Sequence, residues 1–108
     1  MEKNRSKDEL LVEILRRILQ ITHPLQVVLF GSAARKQMQS HSDFDLLVIV
    51  PNGQHRRHTT QAIYQNLVGV GFAADIIVVT EADVERYRQT PGLIIKSALD
   101  EGITLYAA

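Results

Sequence analysis

Two short apolar runs, each stopped by turn residues, dominate the first half of the sequence. Residues 25–30 end at Gly31-Ser32, and residues 44–50 end at Pro51-Asn52-Gly53. Apolar segments of this length, bounded by glycine, proline and asparagine, favour buried β-strands over helices. A third run of strand composition covers residues 72–79. The sequence therefore predicts a sheet built from short strands.

Segments with helical periodicity surround these strands. Residues 6–20 repeat apolar side chains at helical spacing, and Ser6 followed by Glu9 has the pattern of a capping box. The order predicts an α/β (α+β) domain in which helices flank a small mixed β-sheet, and leaves open a further helix after the first strand. The remaining predicted elements are helices over residues 56–67, 80–87 (capped by Thr80) and 91–101, Gly102 as a left-handed helix terminator, and a strand over residues 103–106.

Composition narrows the class of protein. The length of 108 residues suits one domain spanning residues 1–108. Twelve basic residues balance twelve acidic ones, which argues against general nucleic-acid binding, and the basic run 55–58 is typical of a solvated helix start. The absence of cysteine excludes disulfides and thiolate zinc sites. The charged start and the short apolar runs argue against a secretory signal or a membrane span, so we expect a cytoplasmic protein.

Three carboxylates stand at or within the predicted strands. Side chains alternate along a strand, so Asp43 and Asp45 point the same way, and Asp75 joins them if its strand lies alongside. Like charges in apolar surroundings raise one another's pKa, and a divalent cation relieves the repulsion. Oxygen donors without a thiolate suit Mg²⁺ or Mn²⁺. The pattern predicts a carboxylate site for phosphoryl or nucleotidyl transfer with two metal ions.

The turn after the first strand has the complementary chemistry. Gly31 allows the backbone to approach a phosphate closely, and amide donors with the Ser32 hydroxyl form an anion site. Arg35 and Lys36 follow one helical turn later and would add positive charge. This segment is therefore predicted to bind phosphate groups.

These residues together form a recognisable motif. Gly31-Ser32, ten intervening residues and then Asp43-Phe44-Asp45 give G-S-x10-D-x-D, which resembles the signature of the DNA polymerase beta-like nucleotidyltransferases. The string LFGSAARKQMQSHSDFDLLVIV is similar to the minimal nucleotidyltransferase branch, called MNT. The resemblance covers residues 27–79, with a looser match at residues 98–106. It implies the polymerase beta-like nucleotidyltransferase fold.

The resemblance also implies roles for particular residues. Lys36 stands where the family more commonly has glycine. The implied residues fall into a catalytic and metal-binding group, Asp43, Asp45 and Asp75, for two Mg²⁺ ions, and a nucleotide-binding group, Gly31, Ser32, Arg35 and Lys36, for ATP.

Stand-alone MNT proteins are commonly paired with HEPN proteins, which are helical ribonuclease toxins, and act as antitoxins by adenylylating a toxin tyrosine. The resemblance therefore implies a Mg²⁺-dependent transfer of AMP from ATP to such a toxin. The sequence leaves the oligomeric state open, including a homo- or hetero-oligomer. Two alternatives stay open. One is a catalytically silent antitoxin that inhibits by binding alone, and the other is a nucleotidyltransferase that acts on a small molecule.

Overall fold

The computed structural model describes residues 6–35 and 43–108. The elements in chain order are α1 (Lys7–Ile21), β1 (Gln26–Phe30), β2 (Phe44–Val50), α2 (Arg56–Asn66), β3 (Ala74–Thr80), α3 (Glu81–Tyr87), α4 (Ile94–Glu101) and β4 (Ile103–Ala107). Within the described ranges, no helix is both long enough and apolar enough to cross a membrane.

The four strands form one mixed sheet in the order β3-β2-β1-β4. β1 is antiparallel to both β2 and β4, whereas β2 and β3 are parallel. The parallel pair is possible because α2 connects β2 to β3 and returns the chain to the same end of the sheet. The predicted small mixed sheet is confirmed.

Helices cover both faces of this sheet. β2 lies at its centre, and every residue of the strand is buried except the partly buried Asp45. α1 and α2 pack on the face that carries Phe44 and Leu46, and α3 and α4 pack on the opposite face with Leu47. An apolar run at the centre of a sheet covered on both sides explains why β2 shows no alternation of polar residues. The helices thus fix the strand on which Asp45 lies.

The predicted helix caps at two positions are confirmed. The Ser6 hydroxyl accepts from the Glu9 backbone N–H at 3.1 Å, and the Glu9 carboxylate accepts from the Ser6 N–H at 2.9 Å. Thr80 and Asp83 form the same reciprocal pair at the start of α3, at 3.2 and 3.0 Å. Each box satisfies backbone donors that have no partner within the helix.

Two elements begin more than one residue away from their predicted positions. α4 begins at Ile94 rather than at residue 91, because Gly92 takes a left-handed conformation with φ of 85° in the turn before the helix. β3 begins at Ala74 rather than at residue 72. Phe72 lies before the strand and packs on Phe44, with ring centroids 4.7 Å apart.

The prediction that Gly102 ends α4 in a left-handed conformation is wrong. Its backbone is extended, with φ of −83° and ψ of 172°, which any residue can adopt. Glycine is needed there for space: an added Cβ would lie 2.8 Å from the Leu29 carbonyl oxygen, and closer still to Val28 and to the Ala98 carbonyl oxygen. The end of α4 therefore packs directly against β1.

We expect Gly102→Ala to lower the free energy of unfolding by about 1–3 kcal/mol, the usual cost of inserting a methyl group into a packed position. The φ angle of Gly102 suits alanine, so the loss would come from steric overlap alone. Equilibrium unfolding in urea measures it. A variant with an unchanged midpoint and slope would show that α4 and β1 are not in close contact at this point.

Candidate functional site

The carboxylates and the Gly31 turn meet at one end of the sheet. β1 ends there, whereas β2 and β3 begin there, because β1 runs antiparallel to β2 and β2 runs parallel to β3. In the resulting register Asp45 pairs with Phe30 on one side and with Asp75 on the other. The residue after Phe30 is Gly31, so the turn begins directly beside Asp45.

Asp45 and Asp75 lie on the same face of the sheet. Directly paired residues of neighbouring strands, about 4.8 Å apart, project their side chains to one side. The condition that the sequence left open, a β3 strand alongside β2, is therefore met. Asp43 precedes β2 by one residue and is exposed. Asp75 is exposed as well, so only Asp45 is partly enclosed.

The electrostatics of Asp45 reflect this grouping. Partial burial raises the pKa of Asp45 above its ordinary value, and the negative charges of Asp75 and Asp43 raise the pKa further. The positive charge of Arg35 acts in the opposite direction. Asp75, Asp43 and Arg35 are thus all near enough to influence one carboxyl group.

Gly31 and Asp45 are in close contact. Gly31 has a φ of 74°, a conformation that favours glycine, and an added Cβ would lie 3.2 Å from the Asp45 Cγ and nearer still to Oδ2. From the sequence, Gly31 is expected only to let a phosphate approach the backbone closely. The structure adds a second reason for glycine, because any side chain would displace the Asp45 carboxylate.

Ser32 and Arg35 lie in the turn that Gly31 begins. The Arg35 backbone N–H donates to the Gly31 carbonyl oxygen at 3.3 Å, which closes one helical turn after β1. Ser32 is partly buried within it, and Arg35 is exposed. Lys36, the fourth residue predicted to bind nucleotide, lies outside the described residues, as do the residues that would form a helix after this turn.

Glu101 is a neighbour of this site that the sequence analysis missed. Its carboxylate Oε1 lies 3.6 Å from Nη1 of Arg35. The two residues are far apart in sequence, and only the pairing of β4 with β1, in which Ile103 lies opposite Leu29, brings them together. No local sequence pattern could have indicated this contact.

The basic run at the start of α2 has local contacts. The His55 ring accepts through Nδ1 from the His58 backbone N–H at 3.3 Å, and the two imidazole rings stack with centroids 3.9 Å apart. Arg56 forms an ion pair with Asp83 at 2.9 Å. All four residues of the run are exposed, in agreement with the predicted solvated helix start.

The donor chemistry at the sheet end fits a divalent cation. Within residues 6–35 and 43–108, no three histidine or acidic side chains are gathered closely enough to form a complete metal site. Mg²⁺ does not need such a set, since it binds through one or two carboxylates together with waters and substrate phosphates. The Asp45–Asp75 pair, with its mutual repulsion, supplies two oxygen donors that a cation would stabilise.

The structure thus has a mixed four-stranded sheet that ends in paired carboxylates beside a glycine turn. The family model for the nucleotidyltransferase domain matches residues 9–105. The chain therefore belongs to the nucleotidyltransferase domain family, which supports a transferase activity.

A solved structure shows the same fold. The crystal structure of a candidate nucleotidyltransferase from Sulfolobus solfataricus aligns with 99% of this chain and 92% of its own, with a TM-score of 0.61 and 20% sequence identity. The predicted nucleotidyltransferase fold is confirmed. No curated protein has a sequence that matches this chain significantly.

The pKa of Asp45 in the folded protein lies above its ordinary value of 3.8. At a pH between the ordinary and the raised pKa, Asp45 is therefore protonated in the folded protein and already ionised in the unfolded chain. The free energy of unfolding therefore falls as pH rises through this window. Asp45→Asn removes the ionisable group, so the free energy of unfolding of the variant should not fall in this way. We expect the variant to melt about 2–5 °C higher than the native protein at pH 7.

Below pH 3, where the carboxyl group is protonated in both states, the variant and the native protein should melt at similar temperatures. Asp100→Asn is the matched control, because Asp100 is exposed on α4 and pairs with Lys96. Differential scanning calorimetry at both pH values measures the effect. A lower melting temperature for Asp45→Asn at pH 7 would contradict the inferred repulsion.

Proposed function

We propose that this protein is a Mg²⁺-dependent adenylyltransferase that transfers AMP from ATP to a tyrosine of a HEPN-type ribonuclease toxin and thereby acts as its antitoxin. The observation that carries the transferase part is the placement of Asp45 beside Asp75, with the Gly31 turn in contact with Asp45. The acceptor and the antitoxin role rest on the resemblance to MNT proteins.

The residues divide the reaction between them. The acceptor oxygen would lose its proton to the surrounding water and attack the α-phosphorus of ATP. The bond between the α-phosphorus and the oxygen that bridges to the β-phosphorus would break, and pyrophosphate would leave. Asp45 and Asp75 would hold Mg²⁺ together with waters and the substrate phosphates, with Asp43 adding negative charge nearby, and the ion would favour the deprotonated acceptor and neutralise the triphosphate. The Gly31-Ser32 turn would hold the phosphates through backbone N–H groups and the serine hydroxyl, and Arg35 would add positive charge.

The exposure of the carboxylates supports a protein acceptor. Asp43 and Asp75 are both exposed, so the Asp45–Asp75 pair opens toward solvent at the end of the sheet. A side chain on the surface of another protein can reach such a site without first entering an enclosed cavity. This openness favours a macromolecular hydroxyl over a small molecule that must be enclosed to be held.

We expect the protein, incubated with ATP, Mg²⁺ and a HEPN-type protein encoded beside its own gene, to add the mass of AMP to that partner. Asp45→Asn and Asp75→Asn should slow the transfer by about 100-fold or more, since each removes charge stabilisation where the transition state needs it. Asp100→Asn should transfer at the native rate. Intact-protein mass spectrometry of the partner over time measures the rate of AMP addition by the native protein and by each of the three variants.

Other outcomes would replace the proposal. Full neutralisation of the toxin by the native protein and both site variants, without any mass gain, would identify an antitoxin that acts by binding. Transfer of AMP to a free hydroxyl compound in the absence of a protein partner would identify a small-molecule nucleotidyltransferase.

A further inference from the structure

Arg35 lies between two negatively charged groups. Its guanidinium Nη1 is 3.6 Å from the Glu101 carboxylate, and its positive charge also acts on Asp45. Its backbone N–H is fixed by the Gly31 carbonyl oxygen at 3.3 Å. The base of the side chain is thus tied to the glycine turn, and its tip is near a carboxylate from another element.

The fold places Glu101 at this point through β1. Ile103, two residues after Glu101, pairs with Leu29, two residues before Gly31. Gly102 leaves no space between the end of α4 and β1, since even a Cβ there would overlap with the Leu29 carbonyl oxygen. Glu101 and the Gly31 turn are therefore held relative to each other by the same short stretch of β1–β4 pairing.

A long arginine side chain on a surface turn has many rotamers, and each contact of its guanidinium reduces their number. The side chains of Arg35 and Glu101 are 48% and 59% exposed, so packing alone does not restrict them. The ion pair with Glu101 limits the positions that the guanidinium of Arg35 can take. Glu101 and Asp45 both attract the positive charge of this guanidinium. A guanidinium has five N–H donors and can contact a carboxylate and a phosphate together.

We propose that Glu101 is a positioning residue that holds the Arg35 guanidinium at the edge of the Gly31-Ser32 turn, where it contacts the phosphates of a bound nucleoside triphosphate. This inference rests on the proposed nucleotidyl transfer and adds to it a residue outside the G-S-x10-D-x-D motif. Glu101 acts through Arg35 and does not itself touch the nucleotide.

The test is a double-variant cycle read by binding. Binding of a nonhydrolysable ATP analogue with Mg²⁺ is measured by calorimetry for the native protein, Glu101→Gln, Arg35→Ala and the double variant. Glu101→Gln should weaken binding about two- to fivefold, the range that a half-exposed ion pair supports. In the Arg35→Ala background the same change should not weaken binding further, because the residue through which it acts is gone.

Two further readouts distinguish the positioning of Arg35 by Glu101 from a loss of structure and from a general change in net charge. In the transfer assay, Glu101→Gln should raise the KM for ATP by the same factor while kcat stays within about twofold. Asp100→Asn removes a negative charge from the neighbouring position of α4 and should leave both constants unchanged, and melting temperatures of all variants should stay close to that of the native protein.

Three results would overturn the inference. If Glu101→Gln binds the analogue as tightly as the native protein, the Glu101 charge does not assist binding, and if the variant binds more tightly, the charge repels the triphosphate. Equal weakening in the native and Arg35→Ala backgrounds would show that Glu101 does not act through Arg35. A native protein that does not bind the analogue would overturn both this inference and the proposed function, whereas binding without AMP transfer would contradict the proposed function alone.

Discussion

The parallel pairing of β2 with β3 is the constraint on which the rest of the site depends. This register sets Asp45 beside Asp75, and a shift by one residue would turn every side chain of β2 to the opposite face. Such a shift would turn the Asp45 carboxylate toward the apolar side chains that α1 and α2 pack against the sheet, and burial of an unpaired carboxylate there is unfavourable. The fold therefore keeps the carboxylates of Asp45 and Asp75 close together although they repel each other. A protein that sustains such a repulsion without a bound cation gains stability when a cation binds.

β1 supports the other half of the site. At its end, Gly31 turns the chain so closely past Asp45 that no side chain fits, and its pairing with β4 brings Glu101 to Arg35. One five-residue strand thus positions the glycine turn, the arginine and the glutamate that contacts it. In the order β3-β2-β1-β4, the acidic side chains of the site lie on the inner strand β2 and the edge strand β3. The positive charge of Arg35 lies in the turn after β1. A triphosphate with a bound cation matches this charge distribution, because the cation can face the carboxylates and the phosphates can face the arginine.

Much of this fold could be predicted from the sequence, because short apolar runs with strong turn residues leave few alternatives. The bounds of β2 and α3 follow from Pro51-Asn52-Gly53 and from the Thr80 cap. The role of Gly102 could not be predicted, since close contact with β1 depends on tertiary packing rather than on the helix that it ends. The sequence indicated candidate residues for the site but not their arrangement in space. The adjacency of Asp45 and Asp75 required the parallel strand order, and the contact of Glu101 with Arg35 joins distant parts of the chain.

The family assignment rests on nearly the whole chain, and the metal-binding roles of Asp43, Asp45 and Asp75 remain predictions. Anomalous diffraction from a crystal soaked with Mn²⁺ and a nonhydrolysable ATP analogue tests the central claim most directly. The account predicts a manganese peak within coordination distance of Asp45 and Asp75, with the triphosphate lying along the Gly31-Ser32 turn. Well-ordered density for both aspartates with no manganese between them, in a crystal that holds the nucleotide elsewhere, would contradict it.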